Sequence, residues 1–291
     1  MTVAIVGLGL IGGSVARDLR RTGFATHLTG VEMRRDHADE ALRLGLVDAI
    51  APLEEAVAVA ELVVLATPMD ALLTVLPRVL DHLADDATAL DLGSVKLSLV
   101  SAVATHPRRH RYVATHPMAG TENAGPSASL PRLFEGKVAI LCDPEATAVS
   151  ARATAEAFYA ALGMRIVTMT AAEHDHHAAW LSHAPHVVAY ALALAALREE
   201  NDSHMPFDLA GGGFASMVRV AQSAPEMWVP ILLQNRSDIS EAIQAISHQL
   251  LTLREAVENG DETRLRDLIA QANRIRSALW TNAKKPVNMS A

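Results

Sequence analysis

His116 is the residue of this 291-residue chain best placed to move a proton. It follows a predicted strand at residues 111–115 and precedes Pro117, which favours an extended backbone at position 116. A neutral imidazole can take a proton from a hydroxyl group while a hydride leaves the same carbon, and its ordinary pKa of about 6.5 suits that task. We therefore expect His116 to be a general base, with activity rising through about pH 6–7.

A glycine-rich segment near the start of the chain predicts a dinucleotide-binding turn. Gly7, Gly9 and Gly12 follow the predicted strand 2–6 and open a helical stretch. Gly7 would permit a tight turn, Gly9 a close approach of the pyrophosphate, and Gly12 close packing of the helix on the strand. The residues expected to contact the cofactor here are Gly7, Leu8, Gly9, Leu10, Ile11 and Gly12.

Glu32 bears on which dinucleotide binds. It ends the second predicted strand, 27–31, 20 residues beyond Gly12. A carboxylate at this place accepts hydrogen bonds from the ribose hydroxyls and repels a 2′-phosphate, so NAD is expected. Arg34 and Arg35 leave NADP open, because a nearby arginine can hold a 2′-phosphate.

Residues that could bind a ligand follow three predicted strands, 62–66, 87–92 and 111–115: Thr67 with Pro68, then Ser94, then His116. Ligands of a doubly wound sheet bind beyond the carboxyl ends of its strands, so we expect a single site with Thr67 and Pro68 beside the cofactor. Ser94 could hydrogen-bond the reacting hydroxyl group or cap the helix that follows it. Lys96 could hold an anion or organise the site.

A group of histidines lies in the second half of the chain: His174, His176, His177, His183 and His186. At about 100° per residue, His176, His183 and His186 fall on one helical face. No carboxylate or thiol joins them at ligand spacing and Pro185 disturbs the helix, so we expect no metal site. We expect His183 and His186 to point into the site, and His174, His176 and His177 to be surface residues.

Arg219 lies in the otherwise apolar run 217–221. A guanidinium buried there would need an anionic partner, because an unpaired buried charge is costly. The partner could be a substrate carboxylate held by two hydrogen bonds, or an acid of the same domain.

The elements that must position these residues form an α/β pattern. Short apolar runs alternate with helical stretches up to about residue 170, which predicts a Rossmann-like, doubly wound and mostly parallel sheet. Helical periodicity alone follows. We expect a dinucleotide-binding domain at residues 1–170, an all-α domain at 171–281 with a turn at Gly260-Asp261, and a tail at 282–291.

Composition excludes several classes of protein. The net charge is −8 and no Lys/Arg run could track a phosphate backbone, so nucleic-acid binding is not expected. Cys142 is the only cysteine, so no intrachain disulfide can form, which fits a reducing compartment. The longest purely apolar run, 187–197, is too short to span a bilayer, and no signal peptide is evident. We expect a soluble cytoplasmic protein with no membrane partner.

Four ordered segments resemble the motifs of the prephenate/arogenate dehydrogenase family: 91–96 (DLGSVK), 116–122 (HPMAGTE), 182–186 (SHAPH) and 211–228 (GGGF, then Arg219, then PEMW). The resemblance covers essentially residues 1–280. It implies an NAD(P)-dependent oxidative decarboxylation in tyrosine biosynthesis, with prephenate as the expected substrate. It also implies a homodimer whose helical domains intertwine, which makes 171–281 the substrate and dimerisation domain.

The resemblance also implies a role for each residue that matches a motif. His116 would bind and polarise the ring hydroxyl as general base, and Ser94 would hydrogen-bond the same hydroxyl. Lys96 would lie by the cofactor, and Arg219 would hold a substrate carboxylate. The pocket would be lined by Thr121, Glu122, His183 and His186.

Two departures from the family pattern matter. Many relatives have a basic residue after the GGGF segment, where this chain has Ala215, which weakens the case for a doubly anionic substrate and keeps arogenate as an alternative. The chain length leads us to expect no fused mutase and no tyrosine-sensing domain. Another two-domain hydroxyacid or imine dehydrogenase is a third reading, but the lysine such enzymes commonly use is missing between positions 138 and 283. A non-catalytic NAD sensor would explain the glycine turn, but not His116 with Arg219.

Overall fold

The computed structural model describes residues 1–203 and 207–282, and its centre is an eight-stranded sheet. The strands are β1 (Thr2–Val6), β2 (His27–Val31), β3 (Ala49–Ile50), β4 (Leu62–Leu65), β5 (Thr88–Asp91), β6 (Tyr112–Pro117), β7 (Val138–Cys142) and β8 (Arg165–Met169). Their order is β3-β2-β1-β4-β5-β6-β7-β8, and every neighbouring pair is parallel except β6 with β7. This confirms the Rossmann-like, mostly parallel sheet. Only β3 was not predicted, because two residues are too few to produce a periodic pattern.

Helices connect most of the strands and form most of the described chain after β8. They are α1 (Leu10–Thr22), α2 (Arg35–Arg43), α3 (Leu53–Val59), α4 (Met69–His82), α5 (Leu97–Ala102), α6 (Val149–Ala161), α7 (Ala171–Ala178), α8 (Ala184–Ser203), α9 (Gly212–Val218), α10 (Pro225–Gln234), α11 (Arg236–Glu258), α12 (Glu262–Asn273) and α13 (Ile275–Asn282). No strand follows β8 in the described residues, as predicted.

The core consists of two apolar layers, one on each face of the sheet. Successive residues of a strand point to opposite faces, so a strand covered on both faces must be apolar throughout. In β4, Leu62 and Val64 contribute to one layer while Val63 and Leu65 contribute to the other, and all four are fully buried. The continuous apolar runs of the sequence are explained by this double burial.

A π-helical turn, Ala179–His183, separates α7 from α8. Pro185 lies just beyond it and has no backbone N–H to donate into the preceding turn, so the hydrogen-bond pattern must change there. The wider turn also changes the rotation between residues on its two sides. The predicted common face of His176, His183 and His186 is therefore wrong: His183 is buried and His186 half-buried, whereas His176 is exposed.

The stretch Ala171–Glu200 is long and apolar enough to cross a membrane, and only 17% of its most apolar window is buried. It is the only such stretch in the described residues. Length and composition do not distinguish a membrane span from a helix that another protein surface covers. The sequence-based expectation considered only the shorter run 187–197.

Contacts divide the chain into two compact units, with the division between Ile239 and Ser240. Within the second unit, the predicted turn at Gly260-Asp261 is confirmed: Gly260 has φ of +62°, and the Asp261 side chain caps α12 by accepting from the Arg264 N–H at 2.9 Å. The domain boundary near residue 170 stays a prediction. Apart from Asn282, which ends α13, the predicted tail 282–291 lies outside the described residues.

The turn between β1 and α1 needs glycine at two of its three motif positions. Gly7 has φ of +93°, and a Cβ there would lie 2.7 Å from the Ala66 carbonyl oxygen. A Cβ on Gly12 would lie 1.9 Å from the Gly7 carbonyl oxygen. A Cβ on Gly9 would meet nothing within 4 Å, so this position is open toward any ligand above the turn.

We predict that Gly12→Ala destabilises the protein while Gly9→Ala does not. The added methyl group at position 12 meets backbone that cannot move aside, and overpacking of this kind costs about 1–3 kcal/mol. At position 9 the methyl group has free space and the backbone conformation is one that any residue adopts. Urea unfolding of both variants measures the difference, and equal midpoints would contradict the role given to Gly12.

Candidate active site

His116 is the penultimate residue of β6, and the residue is 7% exposed. The strand extends through Pro117, paired with the antiparallel β7 so that His116 lies opposite Ile140. The sequence had suggested that His116 follows the strand, but the structure places it within the strand. Its Nδ1 is 2.8 Å from Nε2 of His174, and its Nε2 has no hydrogen-bond partner among the described residues.

His174 and Asp175 stand behind this ring. His174 is completely buried and its Nδ1 lies 2.7 Å from Oδ1 of Asp175. The Asp175 carboxylate also accepts the backbone N–H groups of Lys96 at 2.7 Å and Leu97 at 2.8 Å. The result is a continuous hydrogen-bonded row from the start of α5 to the ring of His116.

A second buried network of hydrogen bonds, around Lys96 and Asp91, contacts the end of β6. The Lys96 ammonium is completely buried, donates to the Asp91 carboxylate, and donates to the Thr115 carbonyl at 2.6 Å. Asp91 Oδ1 also accepts from the Tyr112 hydroxyl at 2.7 Å and from the Thr115 N–H at 3.1 Å. This ion pair is thus surrounded by hydrogen bonds, which is what a buried pair of charges requires.

His183 and Trp228 each have a buried ring nitrogen without a hydrogen-bond partner among the described residues. The amide of Asn235 donates to the Asp175 carbonyl at 2.8 Å and to His183 Nδ1 at 3.2 Å. With Nδ1 as the acceptor, His183 carries its proton on Nε2. Nε2 of His183 and Nε1 of Trp228 are both buried without a hydrogen bond to described residues, and the two ring centroids are 6.1 Å apart. Two such donors suit an acceptor oxygen of a ligand.

His186 completes this part of the site by stacking on the indole of Trp228, with ring centroids 3.7 Å apart. Its Nδ1 contacts the Ser182 carbonyl at 2.9 Å. Burial lowers the pKa of His186, and the nearby positive charge of Arg219 lowers it further.

The buried histidines are neutral at neutral pH. Burial holds the pKa of His116 well below its ordinary value, and His174, Lys96 and His183 add to this effect. Burial likewise lowers the pKa of His174, and it lowers the pKa of His183 to about 4. We therefore expect His116 to be an unprotonated base at pH 7, and we move the expected rise in activity from about pH 6–7 to lower pH.

Arg219 is exposed, contrary to the prediction that apolar neighbours bury it. Its side chain is 61% exposed and its Nη1 lies 3.7 Å from Glu122 Oε2. Met217, in the same run, is 57% exposed as well. Thr121 is half-buried, and its hydroxyl accepts the Asn123 N–H at 3.3 Å. The structure thus brings Arg219 to Glu122, two residues singled out in different motifs.

The residues around the glycine turn fit a dinucleotide without a 2′-phosphate. Glu32 is half-buried, and its carboxylate accepts the N–H groups of Leu8 and Arg34, each at 3.0 Å. Arg34 is paired with Asp36, so its charge is already matched. Arg35 lies 4.0 Å from an aspartate of its own helix.

The first turn of α1, which contains Leu10 and Ile11, leaves its N–H groups free for phosphate oxygens. The Thr67 hydroxyl is buried and has no hydrogen-bond partner among the described residues. Pro68 follows it as the N-terminal cap of α4. Together with the open space above Gly9, these features provide a cradle in which a dinucleotide would satisfy a hydroxyl group that now lacks a partner.

Two family models together match nearly the whole chain. The model for the prephenate dehydrogenase nucleotide-binding domain matches residues 15–168, and the one for the prephenate dehydrogenase dimerization domain matches residues 170–271. The chain belongs to the prephenate dehydrogenase family. It is therefore a dehydrogenase with a nucleotide-binding part and a dimerization-type part.

Curated relatives agree with this membership. The chain is 33% identical over 282 residues to a cyclohexadienyl dehydrogenase from Zymomonas mobilis, covering 96% of each chain. It is 31% identical over 270 residues to a prephenate dehydrogenase from Bacillus subtilis, covering 91% of this chain and 72% of the relative.

Solved structures of the family have the same fold. A prephenate dehydrogenase from Aquifex aeolicus, in complex with hydroxyphenyl propionate and NAD+, aligns with a TM-score of 0.84 and 30% identity over 96% of this chain and 98% of its own. An arogenate dehydrogenase from Synechocystis aligns with a TM-score of 0.79 and 29% identity over 96% of this chain and all of its own.

Within this prephenate dehydrogenase fold, sequence reasoning missed His174 and Asp175. It assigned His174 to the surface, whereas only His176 and His177 are exposed. A signal was available. The buried residues of α7 are Ala171, His174, Asp175 and Ala178, which have the spacing of one inward face. Asn235 had no signal, since its position depends on contacts with a distant part of the chain.

The structure bears on the alternatives left open for two residues of the 91–96 segment. The Lys96 ammonium is completely buried and donates to Asp91 and to the Thr115 carbonyl, which supports the alternative that it organises the site. Its position beside the cofactor stays a prediction. The Ser94 side chain is not a helix cap, because α5 begins after Lys96 and has no side-chain cap. Ser94 is half-buried, and its hydroxyl makes no hydrogen bond with described residues, so it is free to bind a ligand.

We predict that Lys96→Met strongly destabilises the protein. Removing the ammonium leaves the buried Asp91 carboxylate without a counter-charge, a change that typically costs about 3–5 kcal/mol. Arg152→Met is the matched control, because it removes the same sign of charge from the exposed pair with Glu156 and should change little. Urea unfolding compares the two, and a loss at Lys96 no larger than at Arg152 would show that the buried pair is not structural.

Proposed function

We propose that this protein is an NAD-dependent prephenate dehydrogenase, which oxidises prephenate to 4-hydroxyphenylpyruvate with loss of CO2 in tyrosine biosynthesis. The observation that carries the proposal is His116: a neutral, nearly buried imidazole with one nitrogen bound to His174 and the other free. Membership of the family and the NAD+ in the solved Aquifex aeolicus enzyme support the substrate and the cofactor.

The cofactor would be held by the turn above β1 and by the ends of β2 and β4. The residues assigned to it are Gly7, Leu8, Gly9, Leu10, Ile11, Gly12, Glu32, Thr67 and Pro68. NAD, when bound, accepts the hydride from the hydroxyl-bearing ring carbon of the substrate. The carboxylate of Glu32 favours NAD over NADP because it would repel a 2′-phosphate. We assign Lys96 to the support of this site, not to contact with the cofactor.

The residues of the chain have two tasks, to hold the substrate and to remove one proton. His116 takes the proton of the ring hydroxyl at its free Nε2, and the Ser94 hydroxyl binds the same oxygen. Loss of CO2 from the opposite ring carbon makes the ring aromatic, so the site does not have to supply a large driving force. Correct placement and removal of a proton by a base are the remaining contributions, and the base is worth about 10²–10⁴-fold in rate.

We assign the substrate's anionic groups to the side of the site near Trp228. The unpartnered N–H group of His183 can donate to a carboxylate oxygen, and His186 lies beside it. The charge of Arg219 lies close enough to His186 to lower that residue's pKa, and Arg219 can exchange Glu122 for a substrate carboxylate. Thr121 directly precedes Glu122 in the chain, and we assign it to the same side of the site.

We further propose that the protein is a cytoplasmic homodimer that associates through residues 171–281, with residues 1–170 as the dinucleotide-binding domain. The match to a dimerization domain supports this assembly. So do exposed apolar side chains on the helices of that region, among them Leu194 at 67%, Leu250 at 60% and Ile275 at 62% exposure. The free, buried thiol of Cys142 fits a reducing compartment.

Arogenate is the second candidate substrate, and Ala215 favours it. Prephenate carries two carboxylates, whereas arogenate carries an ammonium group in addition. Ala215 offers no positive charge, and the one arginine assigned to the substrate is already paired with Glu122. Similarity to a Synechocystis arogenate dehydrogenase is in line with this alternative.

The experiment that tests the function is a four-way assay of the absorbance of reduced nicotinamide. Each of NAD and NADP is combined with each of prephenate and arogenate. We expect the highest kcat/KM with NAD and prephenate. A preference for arogenate would transfer the assignment to the second candidate, and failure of all four combinations in an enzyme that still binds NAD would refute both.

We predict that His116→Asn lowers kcat by about 10²–10⁴-fold with little change in the Kd for NAD. Because the pKa of the folded His116 lies below its ordinary value, the base is lost only when pH falls through that lower value. The acidic limb of kcat/KM should therefore lie below about pH 6.5, with a plateau above it. His110→Asn, at an exposed position, is the control. An unchanged kcat in His116→Asn would remove this residue from the role of base.

A further inference from the structure

We propose that His174, oriented by Asp175, is a positioning residue that fixes the tautomer of His116 and thereby selects Nε2 as the nitrogen that takes the proton. The inference rests on the proposed role of His116 as the base. It concerns residues that sequence reasoning had placed on the surface or had not considered.

The first step is the tautomer of His174. An ionised carboxylate only accepts hydrogen bonds, and that of Asp175 already receives two backbone N–H groups, from Lys96 and Leu97. The contact of 2.7 Å between His174 Nδ1 and Asp175 Oδ1 therefore requires a proton on Nδ1. Since burial keeps His174 neutral, its Nε2 has a lone pair and no proton.

The second step transfers this constraint to His116. Its Nδ1 lies 2.8 Å from His174 Nε2, and one of the two nitrogens must donate. His174 Nε2 is the acceptor, so His116 Nδ1 carries the proton. The lone pair of neutral His116 is then at Nε2, the nitrogen without a partner in the described residues. The carboxylate of Asp175, which is linked to His116 through His174, thus determines which nitrogen of the base is active.

The same row of groups compensates the charge that catalysis creates. When a substrate O–H bond breaks and its proton forms an N–H bond at His116 Nε2, the ring becomes a cation in a buried place. Its Nδ1–H group remains directed at the His174 lone pair, and the Asp175 carboxylate lies behind that ring. The other titratable groups facing the two histidines are His183, Lys96 and Asp91, and the last two are paired with each other.

A purely structural role for His174 predicts different behaviour from a positioning role. The ring is completely buried and packs edge to face on His116, with centroids 5.0 Å apart, so a core residue of similar size could replace it if only volume mattered. His174→Phe keeps a ring and removes both nitrogens. His174→Gln loses the ring but places an amide oxygen near the position of Nε2, where it can accept the His116 N–H.

The decisive measurement is the nitrogen-15 NMR spectrum of the histidine rings in the whole protein, without substrate. The His116 signals are assigned by their loss in His116→Asn. We expect wild-type His116 to show a protonated Nδ1 and an unprotonated Nε2 at pH 7.5, and His174→Gln to keep this pattern. In His174→Phe we expect a mixture of tautomers or a proton on Nε2. A wild-type His116 with its proton on Nε2 would overturn the proposal.

Kinetics of the same variants complete the test. We expect His174→Phe to lower kcat by about 10–100-fold with the KM for NAD unchanged, and His174→Gln to recover most of the loss. His177→Gln, an exposed neighbour, should leave kcat unchanged. If His174→Phe does not fold, the wild-type spectrum and His174→Gln still decide the question. Equal kcat in His174→Phe and wild type would also overturn the proposal. Because the spectrum needs no substrate, a wrong substrate assignment would leave the tautomer result intact.

Discussion

The carboxylate of Asp175 joins parts of the chain that are far apart in sequence, and the site depends on it. The Asp175 residue is 2% exposed, and its carboxylate accepts the N–H groups of Lys96 and Leu97 at the start of α5 and the Nδ1–H group of His174. Its backbone carbonyl accepts a hydrogen bond from the Asn235 amide at the end of α10. Through His174 it reaches His116 on β6, and through Asn235 it reaches His183. A buried carboxylate is stable only when its oxygens are satisfied, so these partners cannot be exchanged independently.

The site separates charge from reactivity. The buried charges of the site, those of Asp175 and of the Lys96–Asp91 pair, all take part in hydrogen bonds within the protein. Around His116 and Trp228 the groups available to a ligand are uncharged in the free protein: the rings of His116 and His183, the indole of Trp228 and the hydroxyl of Ser94. The exposed pair of Arg219 with Glu122 is the exception. Exclusion of water keeps the histidines neutral. The base is therefore available at neutral pH, and the donors are not competing with solvent.

The sequence revealed the sheet and the catalytic candidates because both depend on local patterns. Strands covered on two faces are continuous apolar runs, and Gly12, Ser94 and His116 follow from their places relative to those runs. The rest depends on distant contacts. His116 and His174 are 58 residues apart, so although the spacing of α7 could have placed His174 on an inward face, nothing in the sequence indicated that His116 is its partner. The predicted burial of Arg219 is wrong for a different reason, because apolar neighbours in a helical region do not ensure that a side chain is buried.

The π-helical turn between α7 and α8 acts as a phase shift of about one residue, or roughly 100° of rotation, in a helix that would otherwise be continuous. Upstream of it, the inward face serves His116; downstream, it serves the Trp228 side of the site. The two halves of one helix can thus be tuned separately. Deleting one residue within Ala179–His183 would remove the extra residue that the wider turn accommodates, so an ordinary helix would form with His174 and His186 still on the faces that they occupy now. The wider turn thus lets the helix carry one additional residue beside the site without turning either half away from its partners.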